Sequence, residues 1–211
     1  MKRIGVIDYG IGNLRSVANA LRFVGAEPVV SDDAATLAGC DRIIFPGVGA
    51  FGYGMQALKA RGLDKVVLDA VANEKPLLGI CVGMQLLLDS SSEFGENEGL
   101  GIVPGRVDRF EMTSGDDQPL RLPNVGWLPL TLKDGLDGLA KILFEGVEED
   151  SKFYFVHSYH AGAGNPLAVA TAEYAGRAFA AVVGKGSVVG TQFHPEKSGP
   201  EGLELLKRFV S

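Results

Sequence analysis

The sequence is poor in the residues that build disulfide frameworks and metal centres. Of its 211 residues only two are cysteine, Cys40 and Cys81, and three are histidine, His157, His160 and His194. One disulfide at most could form, so the chain is not a small cross-linked scaffold, and in a reducing compartment a cysteine is a buried hydrophobe or a reactive thiol. The histidines show no His-x3-His spacing and no close cysteine pair, and no metal is expected. Positive charge is also short: 20 Lys and Arg stand against 26 Asp and Glu, a formal net charge of −6. A protein that grips nucleic acid or an anionic membrane draws affinity from neutralising phosphate and releasing counterions, so neither is expected as a partner. Long apolar runs are missing too. The longest, Leu77 to Leu88, is broken by Gln85 and falls short of the ~18 to 20 residues needed to cross a bilayer. The start, Met1-Lys2-Arg3-Ile4-Gly5-Val6-Ile7-Asp8, has a short apolar core that ends in an acid, so no secretory signal is read there and a cytoplasmic location is expected.

What is present is a globular composition, 46% hydrophobic and 22% charged. A chain of this length buries roughly 70% of its unfolded surface, enough for a core without staples. One domain over residues 1–211 is expected, with no repeat and no linker. The first half alternates β-branched runs with amphipathic ones. The pattern predicts strands over Arg3–Ile7, Pro28–Ser31, Arg42–Phe45 and Leu77–Ile80, a helix over Leu14–Val24 stopped by Gly25, and one or two helices over Met55–Ala72. Strands so uniformly apolar are buried on both faces, which implies a parallel sheet covered by helices. The second half is broken by Gly, Pro and Asp into short strands that read as antiparallel: Gly105–Phe110, Leu120–Leu122, Val125–Leu130, Lys152–His157, Ala168–Tyr174, Ala178–Gly184 and Ser187–Phe193. A closing helix over Pro200–Val210 carries Leu203, Leu206 and Val210 at helical spacing. The fold class expected is α/β: a mixed, mostly parallel sheet with helices on both faces and antiparallel C-terminal strands.

Three segments could carry chemistry. In Leu77-Leu78-Gly79-Ile80-Cys81-Val82-Gly83-Met84-Gln85-Leu86, Gly-x-Cys-x-Gly joins an apolar strand to a helical run. That is the form of a nucleophile elbow, whose tight turn pushes one side chain out above the sheet edge. The positive end of the following helix would favour a thiolate there. Read alone, the segment fits a buried structural cysteine equally well, its glycines letting a helix pack close. The second segment is His194-Pro195-Glu196. Pro195 disfavours helix at His194 and fixes its own φ, so the tripeptide is predicted near extended, with its outer side chains on one side and close enough to bond. Glu196 would then orient the imidazole as the third member of a triad does; the alternative is a surface histidine beside a solvated carboxylate. Together the two segments give the order Cys…His…Glu. The α/β-hydrolases place the acid before the histidine and fit poorly, while a cysteine points to acyl transfer through a thioester.

The third segment, Phe45-Pro46-Gly47-Val48-Gly49-Ala50-Phe51-Gly52, contains Gly-x-Gly-x-x-Gly after a strand. It is a poor dinucleotide fingerprint, because Pro46 opens it and Asp69, the acid at about the right distance, falls in a helical run. A turn at the carboxyl edge of the sheet that offers free N–H groups to a developing oxyanion fits better. Gly10-Ile11-Gly12-Asn13 reads as a βα turn with Asn13 capping the next helix, and Cys40 reads as packing.

These segments, with Asp8-Tyr9-Gly10-Ile11-Gly12-Asn13-Leu14 and Tyr154-Phe155-Val156-His157-Ser158-Tyr159, resemble the class I (triad) glutamine amidotransferases over essentially the whole chain. Within that family they look most like the glutaminase subunits of imidazole glycerol phosphate synthase. The resemblance implies a flavodoxin-like domain that hydrolyses glutamine to glutamate and ammonia and needs no cofactor. It implies Cys81 as nucleophile, His194 as proton shuttle, Glu196 as its holder, and backbone N–H groups of Val48 and Gly49 as the oxyanion hole. Gln85 would help hold the substrate. Ser158 and Tyr159 would border it through backbone groups, or else be buried strand residues. The partner implied is a cyclase subunit, a (β/α)8 barrel, in a heterodimer; it would bind the ribonucleotide PRFAR and use the ammonia to form imidazole glycerol phosphate and AICAR. Pro123, Val125 and Trp127 would lie in the interface. Trp127, the only tryptophan, is either an anchor there or ordinary sheet packing. Leu128 stands where the family usually carries Asn, which removes a polar contact from the expected ammonia exit. Gly47 and Gly49 are expected to be mobile, letting the oxyanion N–H groups face away until the partner docks. Two other readings stay open: a triad glutaminase feeding vitamin B6, nucleotide or aminobenzoate synthesis, and a catalytically dead scaffold, against which an intact Cys81, His194 and Glu196 argue.

Overall fold

A computed structural model describes residues 1–111 and 120–211. In chain order its strands are β1 (Arg3–Ile7), β2 (Glu27–Ser31), β3 (Arg42–Gly47), β4 (Leu77–Cys81), β5 (Ser90–Ser91), β6 (Asn97–Glu98), β7 (Arg106–Arg109), β8 (Asn124–Pro129), β9 (Thr131–Leu132), β10 (Lys152–His157), β11 (Tyr159–Gly162), β12 (Ala168–Tyr174), β13 (Arg177–Lys185) and β14 (Val188–Thr191). The helices are α1 (Leu14–Phe23), α2 (Ala34–Ala38), α3 (Phe51–Ala60), α4 (Leu63–Ala72), α5 (Val82–Leu86), α6 (Gly138–Phe144) and α7 (Gly199–Val210).

The centre of the sheet is parallel, in the order β2-β1-β3-β4-β14. Ile4, Val6, Ile43, Ile44, Leu77, Leu78 and Val189 are buried along these strands, the two-sided burial that their continuous apolar runs require. Beyond β14 the sheet turns antiparallel through β13, β11 and β7, with β12 beside β13 and β9 beside β12. The expected α/β class, a mostly parallel centre with antiparallel C-terminal strands, is what the chain adopts. Strands β3, β4 and β14 are neighbours and all end at the same edge, where open parallel sheets bind ligands. Cys81 ends β4 there, and the segments after β3 and β14 carry Val48 and Gly49, and His194. Asn13 caps α1 as read from the sequence, its Oδ1 accepting from Ser16 N at 3.3 Å.

Some expectations need correction. Leu120–Leu122 forms no strand; Leu120 is buried as a loop residue, and Pro123 just beyond cannot donate to a ladder. The strand expected over Ser187–Phe193 is shorter and lies parallel to β4, antiparallel only to β13. Among the described residues strand β8 pairs with β10 alone, as a two-stranded ribbon apart from the large sheet. The apolar run over Met55–Ala72 is two helices, parted at Gly62, whose φ of 66° is left-handed, and the first starts earlier, at Phe51. Elements α2, α6, β5, β6, β9 and β11 are additions, the first five too short to show a period and β11 separated from β10 only by Ser158.

Helix α5 lies against β3 with backbone nearly touching backbone. A Cβ built on Gly83 would fall inside the Phe45 carbonyl oxygen, which cannot retreat because it belongs to the sheet. Gly83→Ala should therefore destabilise the protein by about 3 kcal/mol or more through overpacking. Urea unfolding measures this, and a loss below about 0.5 kcal/mol, the range of a neutral surface change, would show the contact to be yielding.

Candidate active site

Cys81 closes β4 and starts α5 with φ 54° and ψ −110°, a conformation that L-residues adopt only under strain, costing of order 1–3 kcal/mol. The sharp turn leaves the side chain at the sheet edge, where it lines a cavity of about 370 Å³. Val48 and Gly49 after β3, Gln85 on α5, Pro123, Val156 to Tyr159, and His194 line the same cavity.

His194 follows β14 and is fixed from several sides. Its N–H donates to the Tyr154 carbonyl at 3.0 Å, and its own carbonyl accepts from Ser198 Oγ at 2.7 Å. Nδ1 lies 2.9 Å from Glu196 Oε1, and the two side chains are 2% and 1% exposed. A carboxylate accepts, so Nδ1 carries the proton and Nε2 is the reactive nitrogen. The pair meets as expected but by a different backbone route. His194 is extended, whereas Pro195–Lys197 forms a single 3-10 turn, closed by Lys197 N on the His194 carbonyl at 3.0 Å. Proline's φ suits the first position of a helical turn as well as an extended chain, and the turn draws the carboxylate back under the ring.

Nε2 is buried and makes no hydrogen bond among the described residues. Burial alone would lower the affinity of His194 for a proton. The nearby Cys81 sulfur and the Glu196 carboxylate, the latter bonded to Nδ1, outweigh that and push the imidazole up to about 10. The arrangement favours an imidazolium beside the Cys81 sulfur, both facing one cavity.

The sequence profile of the family "Glutamine amidotransferase class-I" matches residues 5–211. The chain belongs to this family. It is 44% identical to imidazole glycerol phosphate synthase subunit HisH of Chlorobaculum tepidum, over 97% of this chain and 98% of that one. Identity to the protein of the same name from Geobacillus thermodenitrificans is 46%, over 100% and 96%. Among solved structures, "Structure of PurLQS from Thermotoga maritima" matches with a TM-score of 0.70 at 23% identity, covering 100% of this chain and 98% of that one; at that identity the likeness speaks for the fold.

Other residues anticipated for this amidotransferase have mixed surroundings. Gln85 is buried, and its Nε2 donates to the Tyr159 carbonyl and to Gln192 Oε1, each at 3.0 Å. Tyr159's carbonyl also takes His157 Nδ1 at 2.9 Å, so both its lone pairs are used inside the protein. Ser158 is half-buried at the cavity wall, and its carbonyl accepts from Phe110 N at 3.2 Å. The two glycines differ in packing: a Cβ on Gly47 would meet Gly83 N at 2.8 Å and Val82 at 2.9 Å, while Gly49, at φ 95°, has open space around it. On the ribbon, Val125 and Trp127 point outward, 56% and 49% exposed, with exposed Pro123 joining them to the cavity. Trp127 meets Tyr154, its partner across the ribbon, edge-on at 5.8 Å, and still leaves half its surface bare. Leu128 faces the core side with its cross-strand partner Phe153 and acts as packing.

Sequence reasoning missed Glu93, Gln192 and the role of His157. Glu93 lines the cavity and accepts from Phe51 N at 2.7 Å, pinning the first turn of α3 and so the loop that holds Val48 and Gly49. His157 pairs across the ribbon with Asn124, whose Nδ2 lies 3.1 Å from Nε2. Its Nδ1 donates to a carbonyl, so Nε2 accepts and the ring is neutral. Burial dominates and lowers its pKa to about 3, with the Tyr159 hydrogen bond opposing and the nearby histidines assisting. The unfolded chain, with an ordinary imidazole, binds a proton first as pH falls. The stability that this neutral histidine confers is complete above about 6.5 and drains away toward about 3. His157→Gln keeps a donor and an acceptor but cannot take a proton, and it should flatten part of that acid slope. Urea unfolding of both proteins at several pH values in the window checks this; parallel slopes would refute it.

Proposed function

We propose that this chain hydrolyses glutamine to glutamate and ammonia as the glutaminase subunit of imidazole glycerol phosphate synthase. The observation that carries the reading is the buried His194–Glu196 pair, which turns an unpartnered imidazole nitrogen toward the cavity that the strained Cys81 also faces. The relatives' name supplies the pathway.

The Cys81 thiolate attacks the side-chain amide carbon of glutamine, forming the S–C bond as the carbonyl π electrons move to oxygen. Backbone N–H groups of Val48 and Gly49 receive that oxyanion, an interaction typically worth ~3 kcal/mol in the transition state. The oxyanion collapses, the C–N bond breaks, and His194 Nε2 gives its proton to the departing nitrogen, which leaves as ammonia. His194, now neutral, takes a proton from the water that attacks the thioester, and the second collapse breaks the S–C bond to release glutamate and restore the thiolate and imidazolium. Gln85, Ser158 and Tyr159 border the amino-acid portion. No step calls for a metal or a cofactor.

The ammonia passes to a cyclase subunit, a (β/α)8 barrel, that forms a heterodimer with this chain. There it reacts with PRFAR to yield imidazole glycerol phosphate and AICAR. Pro123, Val125 and Trp127 provide an apolar surface beside the mouth of the cavity, the place where a partner seals the exit and receives the product. A half-bare tryptophan is the kind of anchor on which such interfaces concentrate their energy.

Two outcomes are expected. Cys81→Ser should abolish product formation from glutamine in the complex while ring closure with ammonium salt, at a pH that supplies free NH3, continues; equal loss with both nitrogen sources would overturn the division of labour. The isolated chain should turn glutamine over slowly and rise by two to three powers of ten, the weight of a single oxyanion donor, once the cyclase and its ligand are added. Full turnover by the chain alone would refute control through the Gly49 turn.

A further inference from the structure

We propose that Gln192 is a further catalytic residue of this site, its side-chain amide donating a hydrogen bond to the Cys81 sulfur and holding that sulfur as the acceptor, the thiolate. The inference rests on Cys81 being the nucleophile and deepens that reading.

Gln192 is completely buried, two residues before His194, and its Nε2 lies 3.8 Å from Cys81 Sγ, within reach of a hydrogen bond to sulfur. A glutamine amide can be turned by 180°, and one orientation would present oxygen rather than N–H to the sulfur. The surrounding network decides between them. The Tyr159 carbonyl can only accept, so the end of Gln85 that faces it at 3.0 Å is the NH2 group. That same NH2 lies 3.0 Å from one end of the Gln192 amide, which must therefore be the oxygen. The remaining end, facing Cys81, is an N–H donor. The chain runs in one direction, from an amide on α5 to an amide after β14 to the sulfur after β4, and a backbone carbonyl on β11 fixes its sense.

A donor that cannot accept is satisfied by a thiolate and offers nothing to a thiol proton, so it favours the charged form. His194 also supports that charge, but it must surrender its proton during the reaction. Gln192 cannot, so its hydrogen bond remains available in every step where sulfur carries charge, including departure of sulfur from the thioester. The buried amide also costs nothing to reorient, because Gln85 already holds it.

The test reads the thiol directly. Iodoacetamide, which has no need of the glutamine pocket, alkylates Cys81 in the full-length chain at a series of pH values, and mass spectrometry separates Cys81 from Cys40. Gln192→Met, of similar size but without a donor, should move the half-maximal pH upward by about one unit and slow labelling near neutrality about tenfold, the two being one quantity. Gln192→Glu, which can still accept from Gln85, should move it further, because a carboxylate oxygen would then face the sulfur. The other titratable groups near the sulfur or lining its cavity, His157, His194, Glu196, Tyr9, Tyr159, Glu93 and Lys197, are the same in all these proteins. If neither Gln192 variant folds, Gln85→Met, which frees the Gln192 amide to turn, should give a smaller upward move. An unchanged profile in the folded variants would overturn the proposal and leave Gln192 as packing, with the glutaminase reading intact. Conversely, absent glutamine hydrolysis in the wild type would defeat that reading while the alkylation profiles still reported on Gln192.

Discussion

The site depends on a place where side chains are missing. Strand β3 and helix α5 approach until the Phe45 carbonyl occupies the space that a Cβ on Gly83 would need. That contact sets how close the loop after β3 comes to the elbow after β4. Two segments more than 30 residues apart in sequence are thereby locked in one frame, and the cavity between them keeps its size without a disulfide. The buried apolar strands supply the stiffness. Interiors packed at crystal density do not deform by fractions of an ångström to suit one loop, so the frame holds while the chemistry proceeds.

Within this frame the protein tolerates several local costs at once. Cys81 has a left-handed φ without being glycine, and His194 Nε2 and Glu196 Oε2 are buried without hydrogen-bond partners. Each is a destabilising feature of the kind that persists only where the surroundings over-determine it. All three lie at the edge where β4 and β14 end, next to one cavity. The neutral His157 on the other wall is different in kind, a buried polar ring with both nitrogens satisfied.

The chemistry was legible in the sequence where it is written in neighbouring residues. Gly79-Ile80-Cys81-Val82-Gly83 announces a strained turn because glycine spacing is local, and Asn13 announces a cap for the same reason. His194-Pro195-Glu196 gave the right pair through the wrong backbone, since proline permits both an extended chain and the first step of a helical turn. Strand direction was less accessible: nothing in Val188–Thr191 tells whether its neighbour runs with it or against it, and β4 on one side and β13 on the other make it both. Gln192, Glu93 and His157 escaped because their partners lie 111, 42 and 33 residues away, on elements that only the fold brings together.

The near-complete enclosure of the His194 and Glu196 side chains, 2% and 1% exposed, isolates their proton from bulk solvent. Buffer acids and bases of ordinary size have no path to the imidazole except through the cavity itself. In the proposed hydrolysis, once substrate fills that space the proton inventory is confined to the imidazolium, the amide nitrogen and whichever water enters after ammonia departs. A turnover by that route is a closed exchange, in which the proton surrendered to the leaving nitrogen is replaced by one from the hydrolytic water.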